Sequence, residues 1–346
     1  MSQGPQVPKS PAPPSEAATI QPGRSTLRGW ARRLVNIGPP VALVALIVLF
    51  ALLSDRFFTA ANLGGIANQS SILLVMAVGM TFVILLGGID LSTEGVMATS
   101  SMVVVLLAAN DRNDNDFGML AVLAGAGVGA LFGLVNGVLH TRLKIPSFMV
   151  TLGVGAIGTG IATVLFAGRA PQLLDEGVRS WGLGQWLGVS KLVFIALLVV
   201  LIGYGIQRFT RAGRYAYVIG GDESIARLSG ISIPKYKTLA FVISGSTAGL
   251  GGAMASMRLG VGDVQIGAGQ MFATITAVVI GGTLLAGGRG GVLQTVIGAL
   301  IIATLANGLI LVGVPPYIQV SLQGAIIVVA VAGTGWHLRN RTRVIK

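Results

Sequence analysis

Two carboxylates stand in a stretch that otherwise reads as membrane filler: Asp90 and Glu94 in "LLGGIDLSTEGVMA", residues 85–98. A charge at mid-bilayer costs roughly 2.5–3.5 kcal/mol on insertion scales, so the pair is tolerable only beside a wet cavity or at a broken helix end. Gly87 and Gly88 can supply such a break, and Asp90 or Ser92 could cap the backbone N–H groups it frees. The segment is either a capped turn at the cytoplasmic surface or a helix break facing a translocation path. Asn136 and Asn307, each followed by glycine, place amides inside apolar runs. Such amides either line a path or clamp neighbouring helices. Phe148 and Thr151 in "KIPSFMVTLG" open another apolar run and join the candidates for the path.

A second group of residues suits contact rather than transport. In "GGDESIARLSGI", residues 220–231, Asp222 is placed to cap a short helix that Gly230 would end. The surrounding stretch, residues 208–238, is rich in charge. It is either a docking helix or a loop whose charge only sets orientation.

Other chemistries are excluded. Without cysteine there is no disulfide or thiolate metal site, and His140 and His337 have no ligand neighbour in sequence. A phosphate-cradling loop needs G-x-x-x-x-G-K-[ST], yet none of the six lysines follows a glycine. No nucleophile–base pair is evident either, which argues against a membrane enzyme.

The elements that must position these residues are membrane helices. Hydrophobic residues make up 53% of the 346 and charged residues only 10%, with a mean hydropathy of +0.80. Soluble domains carry about 25% charged residues, so this chain could not clothe a globule. Spanning runs fall near 34–53, 65–87, 91–109, 117–139, 147–167, 191–208, 238–257, 270–286, 291–312 and 315–333. The third run must begin near Leu91 if it is to cross. Arg24 to Arg33, Arg142 with Lys144, Arg208 to Lys237, Arg289 and the final Arg339 to Lys346 then fall on one side. That is the cytoplasmic bias of basic residues, with both termini inside. The net charge of +12 thus reports orientation, not nucleic-acid binding.

Residues 1–33 are expected to be a disordered, proline-rich cytoplasmic tail, 34–336 a transmembrane domain with its coupling loop at about 208–237, and 337–346 a basic tail. The tail precedes the first apolar run, so that run is expected to stay as an anchor rather than be cleaved. Gly125, Gly129, Gly133 and Gly137 recur every four residues and form one flat helix face, for sliding or for tight packing. "LLGG" at 85–88 and "LAGG" at 285–288 look alike, but their spacing supports no internal repeat.

Five segments carry a resemblance: "GGIDLSTEGVMA" (87–98), "NGVLHTRLKIPSFMVTLG" (136–153), "GGDESIARLSGISIPKYK" (220–237), "FVISGSTAGLGGAM" (241–254) and "AVVIGGTLLAGGRGG" (277–291). In that order they resemble the permease subunit of bacterial ATP-binding-cassette sugar importers, the ribose, xylose, arabinose and galactose permease family. The resemblance implies an all-α polytopic permease of about ten helices in the inner membrane, paired with a second copy or a paralogue. It implies a neutral sugar delivered by an extracytoplasmic binding protein, and ATP and Mg held by a cytoplasmic ATPase subunit, with no cofactor in this chain. Asp222, Glu223, Ala226, Arg227, Ser229 and Gly230 would then lie in the segment that docks on the ATPase. Two positions depart from the pattern: Asp222 stands where relatives commonly have Asn, and Met271 where they often have Glu. If Met271 faces the path, an acceptor has been lost there. A secondary or facilitative carrier acting alone is the competing expectation.

Overall fold

The computed structural model describes residues 24–315 together with 318, 321, 322, 324 and 325, with side chains from residue 37 onward. Most of the expected span at 315–333, His337, and the tails 1–23 and 337–346 lie outside the described residues. Twelve helices are described: α1 (Arg24–Leu53), α2 (Ala60–Leu85), α3 (Thr93–Leu107), α4 (Met119–Arg142), α5 (Ser147–Phe166), α6 (Glu176–Leu183), α7 (Lys191–Phe209), α8 (Arg211–Gly221), α9 (Glu223–Leu228), α10 (Ile233–Leu259), α11 (Gln270–Ile280) and α12 (Val292–Leu311). A two-residue hairpin, β1 (Gln185–Trp186) and β2 (Val189–Ser190), links α6 to α7.

Six of these, α2, α4, α5, α7, α10 and α12, are long and apolar enough to cross a membrane. The Ile37–Leu53 part of α1, α3 and α11 are shorter apolar helices. α2 is the central post: it is apolar on every side and buried continuously from Ser70 to Leu85, as a helix surrounded by other helices must be. α10 crosses it, carrying α9 at its start and α6 beside its last turn. Those two ends define the two faces of the bundle. α7 is apolar but the least buried of the six spans, with Leu197, Leu198, Leu201 and Ile202 exposed.

The glycine row on α4 is closely packed against α10 and α3. A side chain at Gly129 would strike the carbonyl of Gly245, and one at Gly133 the carbonyl of Phe241. Gly249 of α10 meets Gly125 in the same way. Backbone against backbone is the contact small residues permit within a bilayer. The α3–α5 crossing repeats it, with Gly95 against Gly155 and Gly158, and Thr99 donating to the Gly158 carbonyl at 2.7 Å.

Three boundaries differ from expectation. α3 has 15 residues and starts at Thr93, not near Leu91. Residues 88–91 ahead of it are non-helical, and Ser92, with φ of −82° and ψ of −9°, already has helical backbone angles. The expected span at 270–286 is an 11-residue helix, α11. Gly269 precedes it, and Gly281 and Gly282 close it, the latter with φ of 108°. Helix α1 begins at Arg24, inside the stretch expected as tail, so Arg24 to Arg33 are helical.

Candidate functional site

The α2–α3 break places Asp90 deep in the bundle. The turn at Gly87 has φ of 75°, a left-handed conformation that glycine adopts without penalty, and it sends the chain back between α4, α5 and α10. Asp90 is wholly buried. Its Oδ1 accepts from the Ser92 N–H at 3.0 Å and the Ser92 hydroxyl at 2.6 Å, and its Oδ2 accepts from the Ser244 hydroxyl of α10 at 2.7 Å. Asn136 of α4 donates to the Ser92 hydroxyl at 2.8 Å. Residues from three elements, the α2–α3 break, α4 and α10, thus share one hydrogen-bond network, which runs from the Asn136 amide through Ser92 to the carboxylate.

The broken backbone is satisfied by α5. Ser147 Oγ accepts from the Ile89 N–H at 3.1 Å, and Thr151 Oγ1 accepts from the Leu91 N–H at 2.9 Å. Irregular chain at membrane depth survives only with such partners. The expected capping role therefore divides: Asp90 takes one backbone N–H, whereas Ser92, at the N-cap of α3, makes no side-chain cap bond. Thr151 is a backbone partner on the buried side of α5, while Phe148 points outward from its first turn, 45% exposed.

Glu94 serves a second break. Its Oε1 accepts from the N–H of Gly269, the N-cap of α11, at 2.9 Å. The chain from Gly260 to Gly269 runs along α3: Asp263 N–H donates to Ser101 at 3.1 Å, and Gly267 lies against Glu94 and Met97. Glu94 sits about 20 Å along α3 from its far end, so α11 starts within the bundle. Met271 lies in that first turn, half-buried. Asn307 is elsewhere: its amide donates to Asn62 of α2 at 2.9 Å, the clamp of the two expected readings.

The two look-alike turns meet. The Gly288 N–H donates to the Leu85 carbonyl at 2.9 Å, and a side chain at Gly287 would strike the backbone at Gly87. Gly220, the penultimate residue of α8, packs on the same Leu85 carbonyl. Nothing within either motif signals this contact.

From that knot α8 leads into α9. Asp222 Oδ1 accepts from the N–H groups of Ser224 at 2.9 Å and Ile225 at 3.1 Å. Gly230, with φ of 74°, ends the helix: its N–H donates to Arg227 and that of Ile231 to Ala226, the paired bonds of a Schellman motif. Ser229 is the C-cap between them, its hydroxyl bonded back to Ile225. The Glu223 carboxylate takes Lys237 at 2.7 Å and Arg227 at 3.3 Å. The Lys237 hydrogen bond holds its carboxyl below the usual glutamate range, against a smaller opposing effect of burial. Within α9, Ala226 is fully buried and faces the bundle, and Glu223 is paired with Lys237 of α10. Its exposed apolar residues are Ile225 and Leu228, the latter 89% exposed, and neither had a motif signal. Beside α9 lies a cleft of ≈ 570 Å³ lined by His140, Lys144, Glu223, Arg227 and Lys237 among others. Among the described residues no group of three or more His, Asp or Glu side chains could hold a metal.

A bundle of apolar helices with two interrupted spans and a capped helix projecting from one face is the architecture of a membrane permease. A family model described as branched-chain amino acid transport system / permease component matches residues 62–331, and the chain belongs to that family. The ribose import permease protein of Escherichia coli is 37% identical over 318 residues, 90% of this chain and 97% of that protein. The ribose import permease protein of Bacillus subtilis is 35% identical over 298 residues, 86% and 91% respectively. The L-arabinose ABC transporter permease protein of Azospirillum brasilense is 31% identical over 336 residues, 96% of each chain. No solved structure matches.

Proposed function

We propose that this chain is the transmembrane permease subunit of an ATP-driven importer of a monosaccharide or related polyol. Support for the cargo class comes from the relatives, whose names specify ribose and L-arabinose. In this reading ten spans cross the bacterial inner membrane with both termini in the cytoplasm, and the face bearing α9 is cytoplasmic. A separate ATPase subunit binds ATP and Mg and grips α9; a binding protein outside delivers the sugar; a second copy or paralogue completes the path.

One observation carries the mechanism: the docking helix is joined to the helix break by the close approach of Gly220 to the Leu85 carbonyl and by the apolar packing of Ala216, Ile219 and Ala226 with Phe82, Val83, Leu85 and Leu86. Ile225 and Leu228 offer an apolar knob to the ATPase. The caps at Asp222 and Gly230 keep α9 rigid, and Gly220 at its base rests on Leu85 beside the Gly87 turn. When ATP closes two ATPase subunits, α9 moves with them as a rigid body. Gly220 and the Gly288–Leu85 hydrogen bond pass that displacement to the segment carrying Asp90 and to the turn that follows α11. Uncharged polar groups with brief hydrogen bonds suit a neutral cargo, which must leave as easily as it enters.

Proteoliposomes test this. Uptake is expected only when the chain is reconstituted with ATPase, binding protein and ATP. Uptake by the purified chain alone would favour a self-sufficient carrier and overturn the reading.

A further inference from the structure

A cleft of ≈ 440 Å³ lies apart from both the helix breaks and the docking knob, where α7, α8 and the start of α12 converge. Its lining includes Arg208, Arg214, Tyr204, Tyr217, Leu293 and Gln294, and no carboxylate. Neither arginine forms an ion pair among the described residues, although both are exposed. The wall behind them is already built. The Tyr217 hydroxyl donates to the Gly290 carbonyl at 2.6 Å and receives the Gln207 amide, whose Oε1 accepts from the Val292 N–H at 2.7 Å.

Exposed apolar side chains stand on the same helices: Leu293 of α12, in the lining, is 53% exposed, and Leu201 and Phe209 of α7 are 66% and 76% exposed. They continue the outward face of the least buried span. α8 has the make-up of an interfacial helix: Ala216 and Ile219 turn inward, Arg211 and Arg214 outward. Aromatic hydroxyls, paired arginines and an acyl-sized apolar margin at one depth match the boundary between headgroups and tails.

We infer that this cleft binds an acidic glycerophospholipid of the cytoplasmic leaflet, its phosphate between Arg208 and Arg214 and its chains along Leu201 and Leu293. A soluble phosphate would satisfy the arginines but leave the apolar margin idle, so the lipid is the better fit. Basic pockets between helices on the cytoplasmic side are a recurring form of lipid recognition. The site also has a consequence for coupling. α8 is continuous with the Asp222 cap, so a bound headgroup steadies the platform from which α9 projects.

Native mass spectrometry of the full-length chain in detergent tests this, with phosphatidylglycerol and phosphatidylethanolamine offered at equal concentration. Selective retention of phosphatidylglycerol is expected. The R208Q/R214Q double variant should weaken it by about thirtyfold, from the contribution of two arginines near a charged surface, while R142Q should leave it unchanged. Equal retention of the two lipids by the unaltered chain overturns the inference, and this comparison needs no variant to fold. Displacement of the lipid by equimolar inorganic phosphate overturns it as well, by showing a free-anion site. Lipid retention is read without sugar, ATPase or binding protein, so it fails or holds separately from the transport reading.

Discussion

Replacing Asp90 by leucine and by asparagine separates the roles of its hydrogen bonds and its charge. Leucine strips the acceptor from three buried donors, the Ser92 N–H, the Ser92 hydroxyl and the Ser244 hydroxyl. An unmet buried donor costs about 1–3 kcal/mol, so the loss is roughly 3 kcal/mol at the low end. Asparagine is isosteric: its oxygen can serve Ser92 and its amide can donate to Ser244, at a cost of about 1 kcal/mol for exchanging charged for neutral bonds. Thermal unfolding of the purified full-length chain, with membrane levels measured alongside, should rank wild type above Asn above Leu. Ser244→Ala should then add less to Asp90→Leu than it costs alone, because the two share one bond. A leucine variant that melts with wild type would refute the network. An asparagine variant that folds normally but does not transport would assign the carboxylate a part in translocation itself.

Leu228→Asp, on a side chain 89% exposed, should leave folding intact and abolish co-purification of the ATPase; normal co-purification would move the docking contact away from α9. Gly230→Ala should cost about 1 kcal/mol, and Gly230→Pro more, since φ of 74° suits neither and proline also loses the N–H bonded to Arg227; both are read as lost ATPase stimulation at normal membrane levels. Because Lys237 lowers the Glu223 carboxyl below its ordinary value of 4.5, the pair is fully formed above about that pH and fails only as pH falls through the lowered value. ATPase retention on the immobilised permease should therefore hold from neutrality to pH 4.5 and drop below it, while Glu223→Gln should be weaker throughout and lack the added acid loss. Gly245→Val, on the α10 glycine met by Gly129, should stop the chain from accumulating, as judged by membrane levels.

Periodic and capping signals were legible in the sequence because they depend on neighbours a few residues away. The α4 glycine row, the Asp222 cap and the Gly230 stop belong to this class. So did the general course of the apolar runs, though not where α3 and α11 begin. A half-helix prolonged by irregular chain has the same apolar content as a full span, and only the partners of its free backbone, here Ser147, Thr151 and Glu94, reveal the difference. The inward facing of Ala226 was not legible for a related reason: in a six-residue helix no period is long enough to say which side faces in. The meeting of Leu85 with Gly220 and Gly288 depends on chain separations beyond any local pattern.

The starts of α3 and α11 converge on Glu94. Each helix start carries about half a positive charge, and two of them roughly cancel one carboxylate. The carboxylate and the two helix starts thus offset one another where the two interrupted spans meet. On the transport path proposed above, that balance would let an uncharged solute pass without drawing an ion after it.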